Sequence, residues 1–446
     1  MSMHRRDFIK TAGLGAAALA ASRAYAGVDR PATRTGCIIP PDRKLRIACI
    51  GCGAQGGRDL YGVRRENIVA LCDVDSERAA GALKSHRDAP QYKDYRKMLK
   101  EMDEQIDAVT ISTPDHTHFP AAMMAIEMGK HVFVQKPLAH TVWEARQLRL
   151  AARKHGVVTQ MGNQGHAGEG TRLVREWVQA GVIGPVHEVH AWSDHSGKGA
   201  KAPNTRPTGT PPVPETLDWN LWLGVAPERP YHPAYVPFNW RAWWDFGSCA
   251  LGDMGCHVMD AAFWALDLGA PVSVEAETAE VFAETGPAWS IVTWQFPARG
   301  NMPPLKFVWY DGKKQPPRPK DLEADRKLGG HGQLLIGEKG TIYEPGAYCQ
   351  SPRIIPEAKM QEMLPNLPPK TIPRIKGSHY GEWIQACKGG PTPGSNFEHA
   401  GPLTEMVLLG NIAIRSGKKI EWDGENLRCS NVPEANRYVN KEYRVF

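Results

Sequence analysis

A glycine-rich turn between two apolar segments constrains the fold of this chain more than any other feature. Residues 45–50 (LRIACI) form a short apolar run that leads directly into GCGAQG at residues 51–56. A segment with helical character follows, and a second apolar run at residues 68–72 ends at Asp73. A strand, a G-x-G-x-x-G turn, a helix and a second strand ending in an acid predict a Rossmann βαβ unit.

The same turn predicts a dinucleotide site. Glycines let the backbone approach a pyrophosphate, and the free N–H groups of the following helix favour an anion. Asp73 would accept hydrogen bonds from the adenosine ribose and repel a 2′-phosphate, so the pattern favours NAD over NADP. The alternative is a glycine turn that holds no ligand. The candidate pyrophosphate-binding residues are Gly51, Gly53, Ala54, Gln55 and Gly56.

The alternation of strands and helices continues to residue 161. Apolar runs at residues 108–112, 131–134 and 157–161 are separated by segments typical of helices. This order predicts an α/β fold with a doubly wound parallel sheet, in which ligands bind beyond the carboxyl ends of the strands. Positions at these ends should therefore share one cleft. The further cofactor-binding candidates are Thr113, Pro114, His118, Lys136 and Gln164.

A later segment, GSCALGDMGCHVMD at residues 247–260, contains a second group of chemically capable side chains. On a helix Asp253 and His257 lie one turn apart and share a face, and Asp260 shares that face with His257. Oxidation of an alcohol needs a base for the hydroxyl proton, and histidine suits this role near neutral pH. A lysine such as Lys136 would stabilise a developing alkoxide. The alternatives are a core histidine, a helix-terminal aspartate and a surface lysine.

Together these motifs resemble the glucose–fructose oxidoreductase/inositol dehydrogenase (Gfo/Idh/MocA) family. The motifs that carry the resemblance are the glycine turn, Thr113-Pro114, Lys136-Pro137 and Asp253-x-x-x-His257, within residues 44–268. The resemblance implies an NAD-dependent oxidoreductase in which Lys136, Asp253 and His257 form the catalytic group. One position departs from the family pattern, because Gln135 replaces the glutamate of its Glu-Lys-Pro motif. Loss of that carboxylate would lower the proton affinity of Lys136.

The resemblance also implies the domain organisation. A Rossmann domain is followed by a C-terminal α/β domain with an open, mostly antiparallel sheet, which the family often uses to form oligomers such as dimers or tetramers. Alternating apolar and polar residues from position 272 onward fit half-buried strands in that sheet. The predicted segments are an export signal (1–26), a linker (27–43), the Rossmann domain (44–160), the α/β domain (161–420) with a Pro-rich aromatic loop (198–244), and a tail (421–446).

The segment at residues 198–244 combines many prolines with seven tryptophan and tyrosine residues, which predicts an ordered loop and excludes a long helix. Flat aromatic faces suit the C–H surfaces of sugars, and nearby polar side chains would bind hydroxyl groups. The alternative is a loop whose aromatic residues pack only among themselves. The candidate substrate-binding residues are Asp194, His195, Tyr231, His232, Asn239, Arg241 and Trp243.

The N-terminus predicts export. Arg5 and Arg6 precede an apolar run at residues 12–21 that is too short to span a bilayer, and residues 24–26 (AYA) form a small-x-small cleavage pattern. This arrangement resembles a twin-arginine signal, which implies export of a folded protein, for example to the periplasm. An ordinary secretory peptide is the alternative. The sequence after it predicts no membrane anchor.

Composition narrows the range of partners. The chain has a formal net charge of +6, and residues 1–26 hold four basic and one acidic residue, so the remainder carries +3. No basic run is interleaved with aromatic residues, so nucleic acid is not a predicted partner. Nine cysteines, several in predicted buried strands, indicate packed thiols and not a disulfide framework. The sequence contains no metal-spaced His/Cys cluster, so no metal is expected.

An exported enzyme cannot exchange NAD with the cytoplasmic pool, so the sequence favours a tightly bound cofactor that returns to its starting state in each cycle. In a ping-pong version, a sugar hydroxyl is oxidised and a second carbonyl compound is reduced. In the alternative, a glycoside hydrolase oxidises C3, eliminates the aglycone through the acidified C2 proton, adds water and reduces the ketone. Its additional acid–base group would be Tyr231, Asp194 or His195. A nucleotide-binding protein without turnover is the third hypothesis.

Overall fold

The computed structural model describes residues 35–195 and 204–446. The predicted export signal, residues 27–34 of the predicted linker and the first six residues of the predicted Pro-rich loop lie outside these described residues. Within the described part, no helix is both long enough and apolar enough to cross a membrane.

The N-terminal half is built on a six-stranded sheet in the order β3-β2-β1-β4-β5-β6, with parallel pairing throughout. Its strands are β1 (Arg46–Ile50), β2 (Asn67–Cys72), β3 (Gln91–Tyr92), β4 (Ala108–Ile111), β5 (His131–Val134) and β6 (Thr159–Met161). Its helices are α1 (Gln55–Val63), α2 (Ala80–Ser85), α3 (Tyr95–Glu101), α4 (Asp115–Glu127) and α5 (Val142–His155). The strand order reverses between β1 and β4, which confirms the predicted doubly wound Rossmann sheet.

Local sequence explains these elements. The strands β4 and β5 are buried along their whole length, as apolar runs in the centre of a parallel sheet should be. Helix α5 begins with a capping box in which Thr141 and Glu144 satisfy each other's backbone N–H groups. The same helix ends at Gly156, whose φ of 60° is the left-handed conformation that glycine favours.

The C-terminal half contains an open nine-stranded sheet in the order β13-β12-β11-β7-β10-β9-β8-β14-β15. The strands are β7 (Val186–Ser193), β8 (Ser273–Thr278), β9 (Ser290–Phe296), β10 (Leu305–Tyr310), β11 (His331–Gly337), β12 (Gly340–Pro345), β13 (Arg353–Ile355), β14 (Ile420–Asp423) and β15 (Arg428–Cys429). Strands β7 and β10 pair in parallel, and the other neighbours pair antiparallel. The predicted open, mostly antiparallel sheet is therefore confirmed.

Helices from the C-terminal half join the two sheets. They are α6 (Glu169–Gln179), α7 (Trp219–Leu223), α8 (Cys249–Val258), α9 (Asp260–Ala265), α10 (Glu357–Met363), α11 (His379–Cys387) and α12 (Phe397–Ser416). Helix α11 packs on α1, and α12 packs on α5 as well as on β8 and β9. One hydrophobic core cluster accordingly includes Val109 of the first sheet and Trp294 of the second. The two halves are therefore docked through a shared core.

The C-terminal residues also return to the Rossmann half. The Tyr443 hydroxyl donates to Glu144 at 2.5 Å, and the Arg96 guanidinium donates to the carbonyl oxygen of Phe446 at 2.5 Å. The predicted boundary at residue 420 falls at the start of β14, which pairs with β8. Residues 421–446, predicted as a tail, thus complete the edge of the second sheet and brace the first half.

Gly56 in α1 has no room for a side chain. A Cβ atom there would lie 1.9 Å from the carbonyl oxygen of Gly51, whereas a Cβ atom on Gly57 would make its nearest contact at 3.4 Å. We expect Gly56→Ala to lower the free energy of unfolding by about 1–3 kcal/mol, as overpacking typically does. The control Gly57→Ala should leave it unchanged or raise it by up to about 1 kcal/mol. Denaturant unfolding measures both, and equal stabilities would contradict the close packing.

Candidate active site

A large cavity lies at the carboxyl ends of the parallel strands and is closed by the C-terminal half. Its volume is about 930 Å³, near the upper end of the range typical of ligand sites. The Rossmann half contributes the glycine turn and the ends of β2, β4 and β5. The C-terminal half contributes the Pro-rich loop, α8 and the segment that follows β12.

Most predicted cofactor residues line this cavity, namely Gly51, Gly53, Ala54, Gln55, Asp73, Thr113, Pro114, Lys136 and Gln164. Gly56 and His118 are not among its lining residues. Gly56 packs beneath the turn against Gly51. His118 is buried, and its ring nitrogens each lie 2.8 Å from a carbonyl oxygen, those of Pro137 and Thr113. It therefore braces two strand ends from behind, and burial lowers its pKa.

The glycine turn and Asp73 fit a dinucleotide. Gly51 has a φ of 77°, and a Cβ atom there would lie 2.6 Å from the carbonyl oxygen of Ser112, so the turn approaches β4 as only glycine allows. The Asp73 carboxylate accepts hydrogen bonds from the N–H groups of Cys52 and Gly53, at 2.7 and 3.3 Å. Burial raises the pKa of Asp73, against these backbone bonds. The carboxylate thus holds the turn in shape and keeps lone pairs for ribose hydroxyls.

Lys136 and Asp253 form an ion pair in the cavity wall. The Lys136 ammonium donates to Oδ1 of Asp253 at 2.5 Å and to its carbonyl oxygen at 2.7 Å. Nε of Arg241 lies 3.4 Å from the same Oδ1, and this guanidinium stacks on Trp240 with 4.2 Å to the ring centroid. Burial opposes ionisation of Asp253, but the two cations outweigh it and hold its pKa well below the usual range. Asp253 is therefore a carboxylate at neutral pH.

His257 lies one turn after Asp253 on α8 and lines the same cavity. Its ring packs edge-on against Tyr348, with 5.0 Å between centroids and 73° between planes. Its Nδ1 is buried without a hydrogen-bond partner among the described residues, which disfavours the doubly protonated ring. Burial and then the charge of Lys136 lower the pKa of His257 to about 3. At neutral pH the ring is therefore unprotonated and able to accept a proton.

Asp260, predicted to share a face with His257, makes other contacts. The helix is interrupted at Met259, and Asp260 opens α9. Its carboxylate lies 2.9 Å from Nδ1 of His166 and 2.6 Å from Nε2 of His399. These three groups could also hold a metal ion, but separations this short are those of hydrogen bonds. The sequence could not reveal the cluster, because its members come from three distant segments.

Asp115 is absent from the predicted set although it lines the cavity at the start of α4. The Ser248 hydroxyl donates to its Oδ2 at 2.5 Å. Gly252 leaves the space for this hydroxyl, because a Cβ atom there would lie 1.9 Å from the Ser248 oxygen. Burial raises the pKa of Asp115 to about 7, against the hydrogen bond from Ser248 and two nearby cations. The position directly after a strand end was the available sequence signal.

The predicted substrate-binding residues separate in the structure. Tyr231 and Arg241 line the cavity, whereas Asp194, His195, His232, Asn239 and Trp243 are not among its lining residues. Asp194 and His195 follow β7 of the second sheet and are exposed, and they form a group with the half-buried His331 in which ligand-type atoms lie within 4.8 Å of one another. The structure thus does not bring five of the seven to the cavity, because adjacency in the sequence does not fix which wall a loop reaches.

The described part of the Pro-rich loop is held by aromatic packing. The Trp219 ring stacks on Trp222 with 4.8 Å between centroids, and it also stacks with Tyr235 at 6.1 Å. Trp243 is fully buried, and its indole N–H donates to the carbonyl oxygen of Ala234 at 3.1 Å. The alternative of a self-packed aromatic loop therefore describes Trp219, Tyr235 and Trp243, whereas Trp222, Tyr231, Phe238 and Trp240 line the cavity.

Two family models match the chain, one in each of its two halves. Residues 45–163 match the oxidoreductase family's NAD-binding Rossmann fold, and residues 171–302 match its C-terminal α/β domain. The chain belongs to the Gfo/Idh/MocA oxidoreductase family. Its N-terminal half is the NAD-binding domain of that family, and the predicted cofactor is therefore confirmed as NAD.

Curated relatives of the chain are named for chemistry on glycosides. The chain is 31% identical over 206 residues to a glycosyl hydrolase family 109 protein of Shewanella pealeana, which is 42% of this chain and 45% of that protein. It is 26% identical over 238 residues to D-glucoside 3-dehydrogenase of Escherichia coli, with 52% and 57% covered. The chain thus spans about half the length of these relatives.

Solved structures share the fold. The WlbA dehydrogenase from Bordetella pertussis, solved with NADH and UDP-GlcNAcA, has a TM-score of 0.60 at 17% identity over 85% of this chain and 99% of that chain. The aldose–aldose oxidoreductase from Caulobacter crescentus has a TM-score of 0.55 at 17% identity, with 85% and 100% covered. At these identities the likeness shows the fold alone.

The electrostatics of the site predict how His257 responds to substitutions. We expect Lys136→Met to raise the pKa of His257, because the Lys136 charge is the main influence that lowers it after burial. Arg241→Met is a matched control that removes the other cation beside Asp253, and it should leave the His257 pKa nearly unchanged. NMR titration of the ring measures both variants. Equal responses of the two, or no response to Lys136→Met, would contradict this assignment.

Proposed function

We propose that the protein is an exported NAD-dependent oxidoreductase that acts on a hydroxyl group of a sugar or glycoside and recycles a tightly bound cofactor. The observation that carries the proposal is the placement of Lys136, Asp253 and His257 in one cavity with the glycine turn and Asp73. Similarity to a D-glucoside 3-dehydrogenase supports a sugar-type substrate.

In this proposal, each residue of the cavity wall has a separate role in alcohol oxidation. When bound, NAD supplies the two-electron acceptor, and its reduced form supplies the donor for the reverse reaction. His257, unprotonated at neutral pH, accepts the proton of the substrate hydroxyl. Lys136, fixed by Asp253, holds the oxygen from which that proton leaves and stabilises its developing charge. Tyr231 and Arg241 bind neighbouring hydroxyl groups.

Asp115 is the second acid–base group in this proposal. A proton on His257 is weakly held, because the pKa of that ring is about 3. Asp115 lines the same cavity, and its pKa of about 7 makes it a better acceptor of the substrate proton than His257 near neutral pH. A carboxyl group poised at the working pH can both take a proton and return it.

A redox-assisted glycoside hydrolase is the second candidate. Similarity to a glycosyl hydrolase family 109 protein favours it, and so does the additional acid–base group. After oxidation, elimination needs a base for the proton next to the ketone and an acid for the departing aglycone. Asp115 and Tyr231 line the cavity and are available for these roles, whereas Asp194 and His195 are not among its lining residues. Water addition and reduction then leave no net change in redox state.

The N-terminal pattern supports the proposed export, and export would explain why the cofactor must be recycled. Arg5, Arg6 and the cleavage pattern at residues 24–26 support the twin-arginine route to the periplasm. A protein exported in the folded state carries its NAD from the cytoplasm, and outside the cytoplasm it cannot exchange this NAD with a free pool of the cofactor. We further propose a dimer or tetramer formed through the second sheet, as the family resemblance implies.

The substrate class and the reaction are tested together. Mature protein purified with the nucleotide that it carries is given no added NAD but is supplied with a second carbonyl compound as hydride acceptor, and it should convert a member of a panel of sugars and aryl glycosides. A product lighter by two hydrogens identifies net oxidation, whereas intact sugar with free aglycone identifies hydrolysis. Mass spectrometry distinguishes these products. A strict need for added NAD would contradict the bound cofactor, and no conversion across the panel would contradict the proposal.

His257→Ala provides the control for this assay. It should lower turnover by about 10²–10⁴-fold, the usual contribution of a general base, while the carried nucleotide is retained. His187→Ala, which changes an exposed histidine on β7, should leave turnover unchanged. Unchanged turnover in His257→Ala would remove His257 from the catalytic group.

The role of Asp115 predicts a pH dependence. Because Asp115 must lose its proton to accept another, the oxidation half-reaction should speed up as the pH rises through about 7. Asp115→Asn should abolish this inflection and slow the step by about 10²-fold or more. Ser248→Ala removes a hydrogen bond that lowers the Asp115 pKa, so it should move the inflection to higher pH. Stopped-flow rates across pH test this, and identical profiles in all three proteins would contradict the assignment.

A further inference from the structure

A carboxylate that none of these roles uses lies behind the nucleotide side of the cavity. Asp59 on α1 is fully buried, and four neutral side chains donate hydrogen bonds to it. The donors are Gln55 (2.9 Å), Ser112 (2.5 Å), Gln135 (2.9 and 3.0 Å) and Tyr380 (2.7 Å). Among the described residues no cationic side chain forms an ion pair with it. A buried carboxylate persists only where donors replace its hydration in this way.

The donors to Asp59 belong to the cofactor wall. Gln55, Ser112 and Gln135 all line the cavity, at the start of α1 and at the ends of β4 and β5. The fourth donor, Tyr380, comes from α11 of the C-terminal half, and burial and then the Asp59 charge raise its pKa. One buried carboxylate therefore fixes three residues of the wall and ties them to the other half of the molecule.

Gln135 is matched to this carboxylate. Its amide nitrogen donates to both oxygens of Asp59, which a glutamate at the same position could not do without protonation. A Cβ atom on Gly162 would lie 2.6 Å from the amide, so glycine there leaves the space that the amide fills. The residue that departs from the Glu-Lys-Pro pattern thus has its own partner, and the two form a carboxylate–amide pair directly before Lys136.

We propose that Asp59 supplies the negative charge that the motif lacks at Gln135, and that this buried carboxylate makes the cofactor wall favour oxidised NAD over NADH. The nicotinamide ring is cationic when oxidised and uncharged when reduced, so a fixed anion behind the wall stabilises the oxidised form selectively. Asp59 acts through Gln135 and its other donors and is a positioning residue. The inference rests on NAD binding alone and holds whichever substrate is used.

Binding to nucleotide-stripped mature protein tests the proposal without any substrate. Dissociation constants for NAD and NADH are measured by calorimetry for the wild type and for Asp59→Asn, Gln135→Glu and the double variant. Asp59→Asn should shift the ratio of the two constants by about tenfold toward NADH, as expected for loss of a unit negative charge behind the cofactor wall. Gln135→Glu should lower thermal stability, because two buried carboxylates then face each other.

The double variant Asp59→Asn/Gln135→Glu tests the proposed preference for NAD over NADH even if one of the single variants does not fold. It exchanges the amide and the carboxylate, so it should restore the ratio to within about threefold of the wild type. Tyr380→Phe removes a donor without changing charge, so it should lower stability and leave the ratio unchanged. Parallel weakening of both nucleotides in Asp59→Asn, or a double variant that folds without recovering the ratio, would overturn the proposal. Failure to turn over any sugar would bear only on the proposed function.

Discussion

The ion pair between Lys136 and Asp253 is the interaction on which the rest of the site depends. Lys136 follows β5 of the parallel sheet, and Asp253 lies on α8 of the other half, so the pair forms only when the two halves are docked. The shared core, with α12 packed on α5 and on the second sheet, provides that docking. Folding and assembly of the catalytic group are therefore the same event.

This pairing also sets the electrostatics of the cavity. Two cations, Lys136 and Arg241, face one carboxylate, Asp253, and keep it ionised against the effect of its burial. Burial and then the charge of Lys136 keep His257 unprotonated, while a second carboxyl group in the same wall, Asp115, has a pKa of about 7. The low proton affinity of the histidine and the high proton affinity of the carboxyl group have one main physical origin, which is burial. Lys136 adds to the effect of burial on His257, whereas Lys136 and Arg241 oppose its effect on Asp115.

Local signals predicted much of this arrangement. The sequence predicted that the glycine turn, Asp73 and Lys136 share a cleft, because strand ends in a parallel sheet meet at one edge. It predicted the Asp253/His257 pair because helical spacing places both residues on one face. Long-range contacts left no such signal. The roles of Asp59 and Asp115 depend on contacts with Tyr380 and Ser248, respectively. These partners are distant in sequence, so the sequence did not predict the roles. The prediction of substrate-binding residues in the Pro-rich loop failed for the same reason. Composition alone cannot distinguish an aromatic ring in a cavity wall from one that packs against another ring.

The cysteines connect the packing to the proposed export. All nine are free, and all but Cys37 are buried. Burial raises the pKa of Cys49 to about 12, and it raises those of its neighbours Cys52 and Cys72 beside the nucleotide turn. Thiols that neither ionise nor reach solvent react slowly with oxidants. A chain that folds before the proposed export would enter an oxidising compartment with every thiol except that of Cys37 already buried.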